Sequence, residues 1–206
     1  MPEILGILFD VYGTLVEIQR PQRPYKRLFE LARNHAHTFD RDQATKMVMC
    51  QQVDLEEAAN RFGVTLSAGE LKILEQSLSE EIASIYPYPE TIRVLHALRK
   101  LGLQIGICSN LALPYVNPVA TRLGHLIDHA TWSCTAGALK PDVKIFEAAV
   151  KQFGLQPASI LMVGNSYHAD VLGAQGAGLR TLFLDRTGER GDISSLDDLM
   201  EHVSES

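Results

Sequence analysis

The chain has 206 residues, 46% of them hydrophobic and 21% charged, with a formal net charge of −6. That length suits one sizeable domain or a core with an insertion, and the composition argues against extended disorder. The acidic balance disfavours nucleic acid and anionic membranes as partners, since both require a basic surface.

The first element in chain order is "ILGILF" (4–9), an apolar run of the kind buried on both faces in a parallel sheet. It ends at Asp10, and "VYGT" then turns the chain. Residues 17 to about 87 contain nothing like a central strand. "PYKRLFELARNHA", "RDQATKMVMCQQVDLEEAANRFG" and "SAGELKILEQSLSEEIAS" predict three or four amphipathic helices, the last opened by a Ser67–Glu70 capping box.

Beyond them, strand-like runs at "LQIGIC" (103–108), "ATWSC" (130–134), "ILMVG" (160–164) and "RTLFL" (180–184) alternate with helix-like segments. "YPETIRVLHALRKLG" sets Val94, Leu95, Leu98 and Leu101 on one face before Gly102. "KPDVKIFEAAVKQFG" does the same with Ile145, Phe146, Ala149, Val150 and Phe153 before Gly154. The C-terminal "SSLDDLMEHVSES" predicts a short helix.

This alternation predicts an α/β fold, a three-layer Rossmann-like parallel sheet with an inserted all-helical cap. Residues 1–16 and 88–206 form the expected core and 17–87 the expected cap. No apolar run is long enough to span a bilayer, and the N-terminus lacks a signal-peptide pattern. Cys50, Cys108 and Cys134 have no metal-type spacing, so a reducing, cytoplasmic setting is expected.

Ligands of open parallel sheets bind beyond the carboxyl ends of the strands. Asp10, Tyr12 and Thr14 follow the first strand, and Ser109 and Asn110 follow the second. Lys140 precedes the helix after the third; Asn165, Ser166, Tyr167, His168 and Asp170 follow the fourth. A carboxylate closing a buried strand is costly unless something pairs or uses it. Four separate segments thus bring two carboxylates, a lysine and small polar donors to one edge. His168 reads as a rim residue, and Arg20, Arg23, Arg27, Arg41 and Arg61 read mostly as solvated charges, one of which could reach the site.

In this order "DVYGT", "ICSN", "LKPD" and "VGNSYHADVLGAQGAGL" resemble the four motifs of the haloacid dehalogenase superfamily of aspartate-nucleophile hydrolases. The resemblance implies Asp10 as nucleophile, Lys140 as the cation that keeps it charged, and Asp170 as the group that orients the lysine, a water or a metal. Thr14, Ser109, Asn110, Asn165, Ser166 and Tyr12 would surround the substrate, a small molecule. A carboxylate is ionised at neutral pH, its reference pKa being about 4, and can form an ester that splits one displacement into two steps. A homodimer through an apolar cap face is compatible with the sequence.

The same resemblance divides on Tyr12. In the family's phosphatases that position holds a second aspartate, which protonates the leaving alkoxide, and Mg²⁺ sits nearby. The corresponding metal set here would be Asp10, Tyr12 through its carbonyl, Asn165 and Asp170, with an amide replacing one acid. A phenol of reference pKa about 10 is a poor acid or base near neutrality. Tyrosine at this place resembles the dehalogenase branch, where the attacked atom is carbon and no metal is required. Phe146 and Tyr167 depart from that branch, which has tyrosine and asparagine there. The sequence leans to dehalogenase-type hydrolysis of a small carboxylate-bearing substrate. A Mg²⁺-dependent phosphatase of small phosphomonoesters is the alternative, and a degenerate member acting as a binding protein a third.

Overall fold

The computed structural model describes residues 3–35 and 40–204. In chain order the elements are β1 (Gly6–Phe9), β2 (Val16–Ile18), α1 (Pro24–His35), α2 (Arg41–Cys50), α3 (Leu55–Arg61), α4 (Ala68–Ala83), β3 (Ile85–Pro87), α5 (Thr91–Lys100), β4 (Gln104–Ser109), α6 (Val116–Leu123), β5 (His129–Trp132), α7 (Ser133–Ala136), α8 (Val143–Phe153), β6 (Ile160–Gly164), α9 (Gly173–Gly176), β7 (Arg180–Phe183) and α10 (Leu199–Ser204). A π-helical turn, Tyr167–Leu172, joins β6 to α9.

Five strands form one parallel sheet in the order β5-β4-β1-β6-β7. β1 is central, paired with β4 on one side and β6 on the other, so all its residues are buried. Its side chains alternate between two cores. Ile7 and Phe9 join Val94, Leu95 and Leu98 of α5, Val119 and Leu123 of α6, and Leu199 of α10. Leu8 joins Ile145, Phe146, Ala149 and Phe153 of α8 and Ala174 of α9. The predicted α/β class is therefore the one observed. Chain order reverses at β1, which makes its carboxyl end the crevice where such sheets bind ligands.

Helices α1–α4 have a core of their own, built from Leu28, Ala32, Val48, Leu55, Ala58 and Leu74, into which Ala112 from the segment after β4 also packs. The Ser67–Glu70 capping box forms as read, with the serine hydroxyl accepting from Glu70 N–H and the glutamate accepting from Ser67 N–H.

The span 41–63 is two helices, giving the larger of the two expected numbers, because the chain extends after Gln51 and Asp54 caps a new start at Glu57 N–H. Other local expectations change. The segment 17–87 is not wholly helical: β2 and β3 pair as an antiparallel ribbon across its base. The expected strand 130–134 ends at Trp132, the partner of the last β4 residue, Ser109; from Ser133 the chain winds into α7. Leu101 caps α5 and is exposed rather than on its buried face. Residues 205–206 of the C-terminal segment, and residue 36 at the end of the first predicted helix, lie outside the described residues.

Candidate active site

Three charged side chains meet at the carboxyl edge of the sheet: Asp10 after β1, Lys140 between α7 and α8, and Asp170 after β6. Asp10 leaves β1 with its N–H donated to Val163 O of β6, so the backbone itself holds it at the sheet edge. The Lys140 ammonium lies between two carboxylates, 2.6 Å from Asp10 Oδ1 and 2.6 Å from Asp170 Oδ1. All three residues are buried, Lys140 and Asp170 almost fully. Ser109 Oγ donates to Asp10 Oδ1 at 3.1 Å. The second Asp10 oxygen has a long contact, 3.5 Å, from Thr14 Oγ1.

Each partner is held in turn. Asn110 clamps the backbone of Lys140, donating to its carbonyl at 2.9 Å and accepting from its N–H at 2.8 Å. Asn110 thus anchors the lysine segment rather than touching the carboxylates. Ser166 N–H donates to Asp170 Oδ2 at 2.8 Å, and the Ser166 hydroxyl accepts from Ala169 N–H to start the π-helical turn. Asn165 is exposed and lies across Gly13, where a β-carbon would meet its amide nitrogen. Gly13 has φ +85°, so the turn after Asp10 needs glycine for backbone and for space.

Gly164 matters for a different reason. A β-carbon there would lie 2.3 Å from Asp170 Oδ2, so the carboxylate reaches the lysine across an absent side chain. Gly164→Ala is expected to displace Asp170, lowering stability by roughly 1–3 kcal/mol and reducing turnover. Urea unfolding together with steady-state kinetics checks both.

Burial alone would push the Lys140 ammonium down, but the Asp10 and Asp170 carboxylates outweigh it and hold it above the usual lysine range. Burial pushes the Asp170 carboxyl up, opposed by the Lys140 charge. Burial also pushes the neighbouring Cys108 thiol from 9.0 up to about 12.

For Cys108 and Lys140 the folded value lies above the unfolded one. The unfolded chain therefore loses these protons first as pH rises, and stability falls. The Cys108 contribution is whole below pH 9 and is lost as pH approaches about 12; that of Lys140 begins to go above 10.5. Each group gives a slope of about 1.4 kcal/mol per pH unit within its window. Urea midpoints are expected to drop steadily from pH 9 to 11, and Cys108→Ala should make the section between 9 and 10.5 shallower, the raised Cys50 and Cys134 thiols supplying the rest.

Tyr12 does not turn its hydroxyl to the carboxylates. It donates to the Tyr115 carbonyl at 2.9 Å and packs edge-on against the Tyr115 ring. Burial pushes its phenol above the ordinary range, against a weaker opposite pull from Arg122. His168 and Tyr167 are exposed, while Phe146 is buried in the core beside α9. Of the arginines read from the sequence, Arg23 and Arg41 line a cavity of about 390 Å³ that Tyr12 and Asn110, the neighbours of Asp10 and Ser109 in the chain, also line. Arg61 instead pairs with Glu57, and Arg20 and Arg27 are exposed.

Residues absent from the sequence reading also shape the site. Arg186, after β7, donates to the Gly13 carbonyl at 3.2 Å and the Thr14 carbonyl at 2.8 Å. It also pairs with buried Glu90 at 2.8 Å and stacks over Tyr88. It braces the turn carrying Asp10 from behind. Glu81 of α4 accepts from the Tyr115 hydroxyl and from the N–H groups of Gln22 and Arg23. Nothing in local spacing signals either role, since both depend on residues far away in the chain.

A parallel sheet with a buried Asp–Lys–Asp cluster at its switch point defines an α/β protein with a candidate active site at the carboxyl ends of its strands. It belongs to the haloacid dehalogenase-like hydrolase family, whose model matches residues 4–178. The chain is 29% identical to haloacetate dehalogenase H-2 of Moraxella sp., over 91% of this chain and 88% of that one. It is 30% identical to a glyceraldehyde 3-phosphate phosphatase of Methanothermobacter thermautotrophicus, with 59% of each chain matched. That match thus spans about three-fifths of the archaeal protein. In structure it is similar to a 2-haloacid dehalogenase from Pseudomonas syringae, with a TM-score of 0.69, 19% identity and coverage of 98% and 99% of the two chains; this likeness speaks to the fold. Among the described residues no helix is long and apolar enough to cross a membrane.

Proposed function

We propose that this hydrolase displaces halide from a carboxylate-bearing small molecule, with Asp10 as nucleophile and residues 17–87 as a cap over the site. The observation that carries the reading is Tyr12. A phosphatase needs an acid two residues after its nucleophile to protonate an alkoxide; a halide leaves without a proton. The Tyr12 hydroxyl is engaged on the Tyr115 carbonyl, and its phenol is pushed still further from neutrality.

In this reading Asp10 Oδ2, the oxygen with only the long Thr14 contact, attacks carbon as the carbon–halogen bond breaks. Lys140 keeps the carboxylate charged, Ser109 fixes its other oxygen, and Asp170 positions the lysine. Asn110 and Ser166 hold these two groups in place. Water then cleaves the ester, releasing the 2-hydroxy acid and restoring Asp10.

The donor set for Mg²⁺ does not fit well. Lys140 occupies the space between the carboxylates, both Asp170 oxygens are engaged, and Asn165 supplies no charge. Mg²⁺ favours an octahedral shell of oxygens anchored by carboxylate charge. The phosphatase alternative draws its support from the archaeal relatives with that activity in their names. It would use Asp10, the Tyr12 carbonyl, Asn165 and Asp170 as ligands.

The test is a paired assay. Halide release from 2-haloacids is expected to proceed in EDTA, with negligible phosphate release from phosphomonoesters in Mg²⁺. Ordinary Mg²⁺-dependent phosphatase turnover would overturn the reading, and absence of both activities would favour a binding protein.

A further inference from the structure

We propose that the substrate of this site carries a bulky apolar group, aryl or branched alkyl, on the carbon beside its carboxylate; the inference rests on the hydrolase reading above and deepens it. The cavity that Tyr12, two residues after Asp10, and Asn110, bonded to the backbone of Lys140, both line also has Tyr25, Phe29, Tyr115, Ile18 and Val48 in its walls. Three of these residues are tyrosines, so a hydroxyl-lined polar pocket would be the first expectation.

The hydrogen bonds reverse that expectation. The Tyr12 hydroxyl donates to the Tyr115 carbonyl, and the Tyr115 hydroxyl donates to Glu81. The Tyr25 hydroxyl is buried and meets neither partner nor solvent. Glu81 is itself engaged by the N–H groups of Gln22 and Arg23, and Asn110 by the backbone of Lys140. Apart from Thr45 and the cations, the walls therefore offer mainly ring faces and aliphatic groups. Positive charge enters through exposed Arg23, Lys26 and Arg41, which also line the cavity. An anionic head with an apolar body matches that distribution. A polyol or sugar would lose its water hydrogen bonds against ring faces without replacing them.

Size points the same way. At about 390 Å³ the cavity is larger than a two-carbon acid requires. A cavity of about 150 Å³ already holds benzene, and pockets for drug-sized ligands begin at about 300 Å³. Each methylene buried there is worth roughly a fourfold gain in transition-state binding.

The wild-type protein tests this in two arms. Halide release is measured from chloroacetate, 2-chloropropanoate, 2-chlorobutanoate and 2-chloro-3-phenylpropanoate. Binding of the product-like acids glycolate, lactate and 3-phenyllactate is measured by calorimetry. The expected result is kcat/KM rising along the first series, with the phenyl acid above 2-chloropropanoate by roughly tenfold or more. Turnover confined to the two smallest acids overturns the cavity assignment and leaves the hydrolase reading intact. If no acid yields halide, the reaction reading fails and binding decides the cavity. Affinity for 3-phenyllactate roughly tenfold above lactate sustains it, and equal or weaker affinity overturns it.

Discussion

Asp10→Asn is expected to abolish turnover while leaving the fold standing. The substitution keeps one carbonyl oxygen to accept from Lys140 and Ser109, and the new amide nitrogen can donate to the Thr14 hydroxyl. Lys140 retains its second carboxylate, Asp170. What disappears is the anionic oxygen that attacks. An amide is a far weaker nucleophile than a carboxylate, so kcat should fall on the order of 10⁴-fold or more, the scale seen when a nucleophile is removed. The check is halide release by the variant, with urea unfolding as control. A well-folded variant that keeps substantial activity would show that Asp10 is structural.

Lys140→Met has the larger consequence for stability. Lys140 is the cation facing two buried carboxylates at 2.6 Å each, and no other ion pair to either is found among the described residues. Methionine fills much of the volume but leaves Asp10 and Asp170 facing each other without compensation. Removing one partner of a buried ion pair typically costs about 3–5 kcal/mol. The loss should depend on pH with a definite sign. Without the ammonium, the burial that already pushes the Asp170 carboxyl up is unopposed by a positive charge, so Asp170 holds its proton more tightly in the folded state than in the unfolded one. The variant therefore regains stability as pH falls, because protonation removes the repulsion. Unfolding at pH 8 and pH 5 tests this: the gap to wild type should narrow at pH 5. Turnover should be lost at both values, since the ammonium that holds Asp10 Oδ1 and ties it to Asp170 is gone. A pH-independent gap would mean that the lysine acts through packing alone.

The inventory of the site was legible because its residues sit at strand ends, and strand ends can be read from apolar runs. Asp10 follows a run too apolar to be anything but interior, and Asn165 and Ser166 follow another. The capping box at Ser67 and the glycine after α8 were equally legible, since both are local chemistry. The break between α2 and α3 left three helices or four open, because an amphipathic pattern continues across it and only the Asp54 cap marks the new start. The β2–β3 ribbon was missed because three residues carry too little periodicity to be read alone.

Sequence alone determined the α/β class, the order of the motifs and the set of charged groups at the sheet edge, because each follows from short-range patterns of burial and turning. Tertiary structure decided what those groups do to one another. It set the lysine between two carboxylates contributed from residues 10 and 170, turned Asn110 to the backbone of Lys140, and braced the turn after Asp10 with Arg186. It also turned the cavity's tyrosine hydroxyls away from the open space, which makes a row of phenols behave as an apolar wall. The physical reason is that hydrogen bonds and ion pairs depend on distances of a few ångströms between residues up to 173 positions apart, and no local pattern encodes such a distance.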